Sequence, residues 1–212
     1  MEQEIAILIA DLSGYTALTE THGASSAADV IDKYIELVNS SLVGESHLQE
    51  RVGDEIMIVS NSADNLLATA VVLLQRVLRE YNFLHVHGAL HYGKTLKRNN
   101  NLFGSALNLT SRIAAKAPPG VFFCSKDFLN AVTDKHSYSF RSAGTHNFKN
   151  VSEDSEVFEV AIERPESLYI DPVCRMLLTE PAKRISHPTQ PDLFFCSTNC
   201  LDIFMGRGLS RG

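Results

Sequence analysis

Residues 5–14 run Ile-Ala-Ile-Leu-Ile-Ala-Asp-Leu-Ser-Gly, and the rest of the fold can be inferred outward from them. An unbroken apolar run of this length, without alternation, is typical of a central β-strand buried on both faces. Asp, Ser and Gly favour turns, so we expect the strand Ile5–Ala10 to end at Asp11. Such a strand predicts a sheet that is covered by helices.

Strands and helices follow in pairs rather than in strict alternation. Apolar residues on one helical face predict a helix that Ser25 or Ser26 caps. Further predicted helices are Ala63–Tyr81, Gly104–Ala117 and Lys126–Val132, and the predicted strands are Ser46–Val52, Glu55–Ser60, Leu84–Tyr92, Val121–Cys124 and hairpin-like strands within Ser139–Val160. This order favours an α+β sandwich with a largely antiparallel sheet.

Composition and charge exclude several classes of protein. The chain has 212 residues, of which 44% are hydrophobic and 21% charged, as in ordinary globular proteins. Lys and Arg number 19 against 25 Asp and Glu, which gives a net charge of −6. We therefore expect neither nucleic acid nor an anionic membrane as a partner. The apolar runs are too short for a transmembrane helix, and the N-terminus lacks a basic region typical of a signal peptide.

Cysteine and proline are concentrated near the C-terminus. Residues 165–212 contain five of the seven Pro and three of the four Cys, so we place a domain boundary at Arg164-Pro165. This divides the chain into a large domain, residues 1–164, and a small module, residues 165–212. Few cysteines without a signal peptide indicate a reducing, cytoplasmic compartment, in which thiols more often bind metals than form disulfides.

Two aspartates are candidates for a metal site. Asp11 follows the first strand, and Asp54 lies in the Gly53-Asp54 turn between two strands. If these strands are neighbours, the carboxylates meet at one sheet edge, where close like charges need a cation. Two carboxylates with a backbone carbonyl suit Mg²⁺ or Mn²⁺. The alternative is that both are ordinary turn aspartates.

Asn108 and Arg112 lie four positions apart and therefore share one face of the predicted helix Gly104–Ala117. Leu109 and Ile113 share another face, which suits the core. An amide beside a guanidinium can hold a ribose and a phosphate, because Arg presents forked donors to phosphate oxygens. The alternative is an exposed polar face without a ligand.

Four segments in order resemble the catalytic domain of class III nucleotidyl (adenylate/guanylate) cyclases: Ala10–Thr16, Val52–Glu55, Leu102–Arg112 and Gly144–Phe158. The resemblance extends from about Ile5 to Val160. It implies a ferredoxin-like α+β core and a head-to-tail homodimer with active sites at the interface. It also implies a phosphorus–oxygen lyase in signal transduction, which converts a nucleoside triphosphate to a 3′,5′-cyclic nucleotide and pyrophosphate with two Mg²⁺ or Mn²⁺ ions.

The same resemblance assigns residues to roles. Asp11 and Asp54 match the metal-binding aspartates, and Leu12 would lend its backbone carbonyl. Asn108 matches the ribose-orienting asparagine and Arg112 the arginine that stabilises the transition state, both supplied by the other protomer. The remaining matches are Lys149, for the terminal phosphates, and Lys94, where some members carry a phosphate-binding arginine.

Glu50 and Asn101 occupy the positions that select the base in this family. Adenylate cyclases carry lysine at the first position and aspartate or threonine at the second, whereas glutamate at the first is the guanylate cyclase choice. A carboxylate accepts from guanine N1–H and N2–H₂, and Asn101 could donate to O6. The pair thus favours GTP, with ATP or a pyrimidine nucleotide still open. Alternatively, Glu50 is a solvated strand residue.

The C-terminal module resembles the YHS/TRASH type of metal-binding module over about 169–207. The matching residues are Asp171–Met176 and Phe194–Cys200. Cys174, Cys196 and Cys200 favour Zn²⁺ or another soft metal such as Cu(I) or Fe. Arg175 stands where glycine usually follows the first cysteine. A disulfide, or cysteines that merely pack, are the alternatives.

The sequence therefore predicts a nucleotide cyclase with a metal- or thiol-sensing module. The alternatives are a catalytically silent cyclase-like dimer that binds nucleotide or signals through the module, and a metal chaperone or sensor that uses the large domain as a scaffold. We interpret His85, His87 and His91 as a polar sheet face, and Cys124 as a small buried hydrophobe.

Overall fold

The computed structural model describes residues 2–148, 154–164 and 168–209, with side chains to residue 206. The helices are α1 (Tyr15–Ser41), α2 (Ala63–Val77), α3 (Ser105–Ala114), α4 (Lys126–Ala131) and α5 (Thr198–Leu209). The strands of the large domain are β1 (Glu2–Ser13), β2 (His47–Val52), β3 (Glu55–Ser60), β4 (His85–Arg98), β5 (Asn101–Phe103), β6 (Phe122–Ser125), β7 (Ser139–His146) and β8 (Ser155–Ala161). Four strands of two residues each follow: β9 (Tyr169–Ile170), β10 (Leu177–Leu178), β11 (Ile185–Ser186) and β12 (Phe194–Phe195).

The large domain is built on one sheet with the strand order β2-β3-β1-β4-β6-β8-β7, and β5 pairs with β4. Only β4 and β6 pair in parallel among the described strands; the other neighbours are antiparallel. The predicted α+β sandwich with a mostly antiparallel sheet is confirmed, together with a small Cys-containing C-terminal module.

Strand β1 is buried on both faces, as predicted. Ala6, Leu8 and Ala10 pack into the core beneath α1 and α2. Ile5, Ile7 and Ile9 point to the other face and pack in the core that includes Ile113 of α3. Successive side chains of a strand point to opposite faces, so an unbroken apolar run supplies two cores at once.

Several boundaries differ from the prediction: β4 continues to Arg98 rather than ending at Tyr92, and α2 ends at Val77 rather than at Tyr81. Strand β1 continues past Asp11, because its last residues still pair with β4, up to Ser13 opposite His85. Helix α1 begins at Tyr15 rather than near Ser25, with Gly14 in the left-handed conformation before it. Gly23 (φ 82°, ψ 170°) interrupts the helix, so α1 consists of two segments.

The C-terminal module packs into the same core as the large domain. Cys174, Leu177 and Phe195 are fully buried in the core beneath α1 and α2. The backbone of Leu177 accepts a hydrogen bond from Asn82 N–H (3.1 Å) and donates one to the carbonyl of Phe83 (2.6 Å). The module is thus fastened to the chain that leads into β4. No helix in the described part of the chain is long and apolar enough to cross a membrane.

Candidate functional site

Asp11 and Asp54 meet at one edge of the sheet. Ala10 pairs with Ile56 of β3, which places the end of β1 beside the turn that carries Asp54. The pKa of Asp54 is raised to about 6, because the carboxyl is partly buried and lies in hydrogen-bonding contact with the carboxylate of Asp11. One Asp11 oxygen also accepts the N–H of Leu12 at 3.0 Å. The two predicted carboxylates thus form one acidic pair, and Leu12 is adjacent to it.

A buried phenol lies near enough to the acidic pair to feel its charge. Tyr34 of α1 is fully buried, and its hydroxyl has no hydrogen-bond partner among the described residues. Burial raises the pKa of Tyr34, and the negative charges of Asp11 and Asp54 raise it further. The phenol therefore stays neutral near the carboxylates.

His87 belongs to this site, although its sequence position did not indicate it. It pairs across the sheet with Asp11, and its Nδ1 lies 2.8 Å from the hydroxyl of Ser13. Burial lowers the pKa of His87, and the Asp11 backbone and the Asp54 charge oppose that shift only in part. At neutral pH the imidazole is uncharged and positions the end of β1.

The other two histidines of β4 are buried, so the predicted polar face is in fact largely covered. His85 and His91 are 6% and 5% exposed. His91 bonds Ser125 through Nδ1 at 2.8 Å, and burial lowers its pKa. Gly120 lies against His85, where a Cβ would sit 2.7 Å from Nδ1. Within the described part of the chain, neither histidine belongs to a group of side chains that could hold a metal ion.

The chain segments that carry the two predicted base-selecting residues are joined by a hydrogen bond. Gln49 donates a hydrogen bond from its side-chain amide to the carbonyl of Asn100 at 2.7 Å. This bond joins the immediate chain neighbours of Glu50 and Asn101, which are both exposed. A surface cavity of about 210 Å³ is lined by Glu50 together with Ile9, Val52, Glu55, Ile56 and Met57. Glu50 and Glu55 therefore line a cavity whose other lining residues are apolar.

On α3, Asn108 is exposed and Arg112 is half-buried, while Ile113 packs in the core. Within the described residues, neither the Asn108 nor the Arg112 side chain has a hydrogen-bond or ionic partner. The first turn of α3 packs beside Gly93, where an added Cβ would meet Ala106 at 3.1 Å. Gly93 pairs with Ile5, so this turn lies roughly 20 Å along β1 from Asp11 at about 3.3 Å per residue.

Of the two predicted phosphate-binding lysines, Lys94 belongs to the described residues and Lys149 does not. Lys94 is exposed on β4, and its carbonyl lies close to Gly104, where an added Cβ would sit 3.0 Å from that oxygen. Lys149 lies outside the described residues. Just before it, Phe148 is buried, and Asn147 donates a hydrogen bond to Asp154 at 2.9 Å.

A second cluster of reactive side chains lies in the C-terminal module. The Sγ of Cys196 is 3.5 Å from the Sγ of Cys174 and 3.5 Å from that of Cys200. Cys196 lies two residues before α5 and Cys200 in its first turn, so the two thiols meet at the start of the helix rather than on one helix face as predicted. The hydrogen bond between the thiols of Cys174 and Cys196 lowers the pKa of Cys196 to about 7 and, together with burial, raises the pKa of Cys174.

The fourth member of this cluster is His22 of α1. Its Nε2 lies 3.5 Å from Cys196 Sγ and 3.5 Å from Cys200 Sγ. All four ligand atoms lie within 4.8 Å of one another. Sequence reasoning missed His22 because it stands 174 positions from Cys196 in the chain.

Comparisons with known proteins agree with this fold. No protein-family model matches the chain. An uncharacterized protein of Mycobacterium tuberculosis is 30% identical over 126 residues, which cover 59% of this chain and 33% of the relative. A pH-sensitive adenylate cyclase of the same species is 24% identical over 161 residues, which cover 74% of this chain and 41% of the relative. The chain spans less than half the length of these curated relatives.

Solved structures of cyclases share the fold. An adenylate cyclase structure from Trypanosoma brucei, in the monomeric state, matches with a TM-score of 0.68 and 16% identity over 74% of this chain and 89% of that chain. The guanylate cyclase domain from Catenaria anguillulae, in complex with GTP, matches with a TM-score of 0.61 and 15% identity over 77% of this chain and 100% of that chain. The large domain therefore has the fold of class III adenylate/guanylate cyclase catalytic domains.

Proposed function

We propose that the chain is a nucleotide cyclase that converts a nucleoside triphosphate, with GTP favoured over ATP, to a 3′,5′-cyclic nucleotide and pyrophosphate. The single observation that carries this proposal is the contact between Asp11 and Asp54. Partial burial and this contact together raise the pKa of Asp54 to about 6. Two carboxylates held together at the edge of a sheet repel each other unless a cation or a proton lies between them. The pair is thus suited to divalent metal ions.

The donor set fits Mg²⁺ or Mn²⁺, because both ligands are hard carboxylate oxygens. Bound at this pair, two such ions would activate the ribose 3′-hydroxyl and neutralise the triphosphate. The chain itself holds the acidic pair in place: His87 and Ser13 fix the end of β1, and the Gly53 turn presents Asp54. Asp54 must lose its proton for the pair to bind metal.

The remaining polar groups come from a second copy of the chain in this proposal. Asn108 is exposed and Arg112 is half-buried, and no other described residue occupies their donors. Asn108 would orient the ribose, and Arg112 would oppose the charge that develops on the transferring phosphate. Lys149 and Lys94 would contact the phosphates. A head-to-tail homodimer brings these groups to the acidic pair of the partner, so the active site is complete only in the dimer.

Glu50 and Asn101 provide the preference for GTP. The Glu50 carboxylate accepts two hydrogen bonds from guanine N1–H and N2–H₂, whereas the N1 of adenine requires a donor. The Gln49–Asn100 hydrogen bond holds the two chain segments together. The apolar walls of the Glu50 cavity, Ile9, Val52 and Met57, suit the flat face of a base.

The proposal is tested by incubating the protein separately with ATP, GTP, CTP and UTP, in Mg²⁺ or Mn²⁺, and identifying products by mass spectrometry. We expect cyclic GMP as the main product, and we expect Asp54→Ala to abolish it. Asp29→Ala is the matched control, because Asp29 is an exposed aspartate on α1. Activity that persists in Asp54→Ala would contradict the metal assignment.

A second candidate is a catalytically silent cyclase-like dimer that acts as a nucleotide-binding or metal- or redox-sensing signalling module. The observation that favours it is the cluster of three thiols and His22 between the module and α1. This candidate predicts a dimer that binds nucleotides and yields no cyclic product from any of the four.

A further inference from the structure

The thiol–imidazole cluster has the dimensions of a tetrahedral metal site. Cys174 and Cys200 are fully buried, and Cys196 and His22 are half-buried. The four distances from Cys196 to its two cysteine neighbours, and from His22 to Cys196 and Cys200, are all 3.5 Å. A zinc ion with bonds of about 2.3 Å to sulfur and about 2.0 Å to nitrogen separates its ligands by roughly 3.5–3.8 Å. An ion would therefore fit with small side-chain adjustments.

A buried carboxylate holds the loops that carry the thiols. Asp171 is fully buried and accepts the N–H groups of Val173 (2.8 Å) and Cys174 (3.2 Å) with one oxygen, and that of Cys196 (2.8 Å) with the other. Ser197 accepts the N–H of Cys200 at 3.2 Å. The backbone of every cysteine in the cluster is thus fixed by a side chain that is not itself a ligand, which is typical of a preorganised site.

We propose that His22, Cys174, Cys196 and Cys200 together hold one tetrahedral Zn²⁺ ion, and that this ion fastens the C-terminal module to helix α1. Three thiolates and one imidazole are a closed structural zinc set, with no position left for water or substrate. Three clustered thiols, of which Cys174 and Cys200 are fully buried, cannot all ionise without a cation. His22 is the only described ligand outside the module, so the ion links two parts of the chain.

The C-terminal module contacts the segment Tyr15–His22 of α1 at both ends. At its start, Arg175, which follows the ligand Cys174, lies against Gly14. At its end, His22 is a ligand, and Gly23 then breaks the helix. Asp11 lies three residues before Gly14. On the proposed cyclase function, on which this step rests, zinc loading orders the chain that directly follows the catalytic metal site.

The site is tested by measuring bound metal in the reduced full chain after equilibration with Zn²⁺ against a competing chelator. We expect one Zn²⁺ per chain in the wild type. Loss of an outer-shell partner alone weakens metal binding roughly 10–100-fold, so His22→Ala, which removes a ligand, should weaken it at least tenfold. Cys196→Ser should abolish stoichiometric binding. His136→Ala is the matched control, since His136 is exposed and has no partner among the described residues.

Two further measurements, Co²⁺ substitution and hydrogen exchange, report on the site in the wild-type protein. They depend neither on catalysis nor on the folding of a variant. Co²⁺ in the wild type should give the intense visible and thiolate charge-transfer bands of a tetrahedral sulfur site, and His22→Ala should change them. Amides of Tyr15–His22 should exchange faster after zinc removal. Asp54→Ala should still bind one Zn²⁺, which separates this proposal from the cyclase assignment. Wild-type binding that His22→Ala leaves unchanged, no binding at all, or a Cys174–Cys196 disulfide in the purified protein would overturn it.

Discussion

The side chain of Arg175 lies directly against Gly14, so that a Cβ on Gly14 would sit 2.5 Å from the Cβ of Arg175. Gly14 has φ +96° and joins the strand that carries Asp11 to helix α1. Arg175 itself adopts a positive φ of 69°, in the position where glycine is usual in the module that it resembles. Arg175 therefore adopts the backbone conformation that glycine usually adopts at this position, and its side chain packs against the N-terminus of α1.

Gly14→Ala is predicted to destabilise the protein by about 2–4 kcal/mol, since it adds a close clash to a backbone penalty of about 1–2 kcal/mol. Urea unfolding measures the loss. Gly144→Ala is the matched control, because Gly144 has φ +94° and open space around its Cβ position. We expect Gly144→Ala to lose only the stability that corresponds to the backbone penalty, because no clash is added there. Arg175→Gly should rescue Gly14→Ala, and equal losses at the two glycines would contradict the contact.

The acidic pair predicts a pH-dependent response to divalent ions. The folded-state pKa of Asp54 is about 6 against an ordinary value of 3.8, so the folded protein binds more protons than the unfolded chain between these values. This group therefore favours folding below about pH 4, and its contribution is lost as the pH rises through 6. Mg²⁺ requires the ionised pair, so it should raise the melting temperature at pH 7.5 and much less at pH 5.

Differential scanning fluorimetry of wild type and Asp54→Asn, with and without Mg²⁺, measures this response, because other titrating groups cancel in the difference. Mg²⁺ is the suitable probe, since thiolates do not favour it. A Mg²⁺ effect that is equal at both pH values, or that persists in Asp54→Asn, would rule out the pair as the binding site.

Glu50→Lys is predicted to shift the base preference from GTP towards ATP. Lysine donates where glutamate accepts, so the guanine contacts are lost and adenine N1 gains a donor. A bidentate hydrogen bond of this kind corresponds to about 1–3 kcal/mol, so the ratio of kcat/KM for GTP over ATP should fall roughly 10- to 100-fold. Glu45→Lys is an unsuitable control because Glu45 bonds Ser60 and Asn65. Glu36→Lys, exposed on α1, is suitable. An unchanged ratio would make Glu50 a solvated strand residue.

Asp171→Asn is predicted to weaken the C-terminal module, because an amide cannot accept all three backbone hydrogen bonds that the carboxylate accepts. Loss of a buried bond to a charged group is worth about 1.5–3 kcal/mol. Thermal unfolding and limited proteolysis after residue 168 measure the effect. Asp192→Asn, at an exposed position of the same module, should have none. A wild-type melting curve for Asp171→Asn would show that the carboxylate does not support the loops.

Local pattern was enough to predict most of the framework and part of the sites. The apolar run Ile5–Ala10 predicted the doubly buried strand, the Gly53 turn brought Asp54 to Asp11, and the four-residue spacing of Cys196 and Cys200 brought their thiols together at the start of α5. These features depend on short-range periodicity and turn preference. Residues that act through contacts distant in sequence were not predictable in this way.

His22 and His87 show why. His22 meets the cysteines only after α1 packs against the module, and its neighbours carry no metal-binding motif. His87 joins the acidic site through the register of β4 against β1, which a single strand does not specify. The burial of His85 and His91 similarly depends on Gly120 and Ser125, which come from later parts of the chain. The extension of β1 to Ser13 follows from pairing with β4 rather than from local turn preference.

Mixing two inactive variants tests the central claim most directly, because the proposed active site draws Asp54 from one protomer and Arg112 from the other. Asp54→Ala and Arg112→Ala should each be inactive as homodimers. Co-refolded or co-expressed in equal amounts, they form mixed dimers with one intact site, and activity should return to about a quarter of the wild-type value. Mixed dimers that are confirmed by mass spectrometry yet produce no cyclic nucleotide would contradict the account.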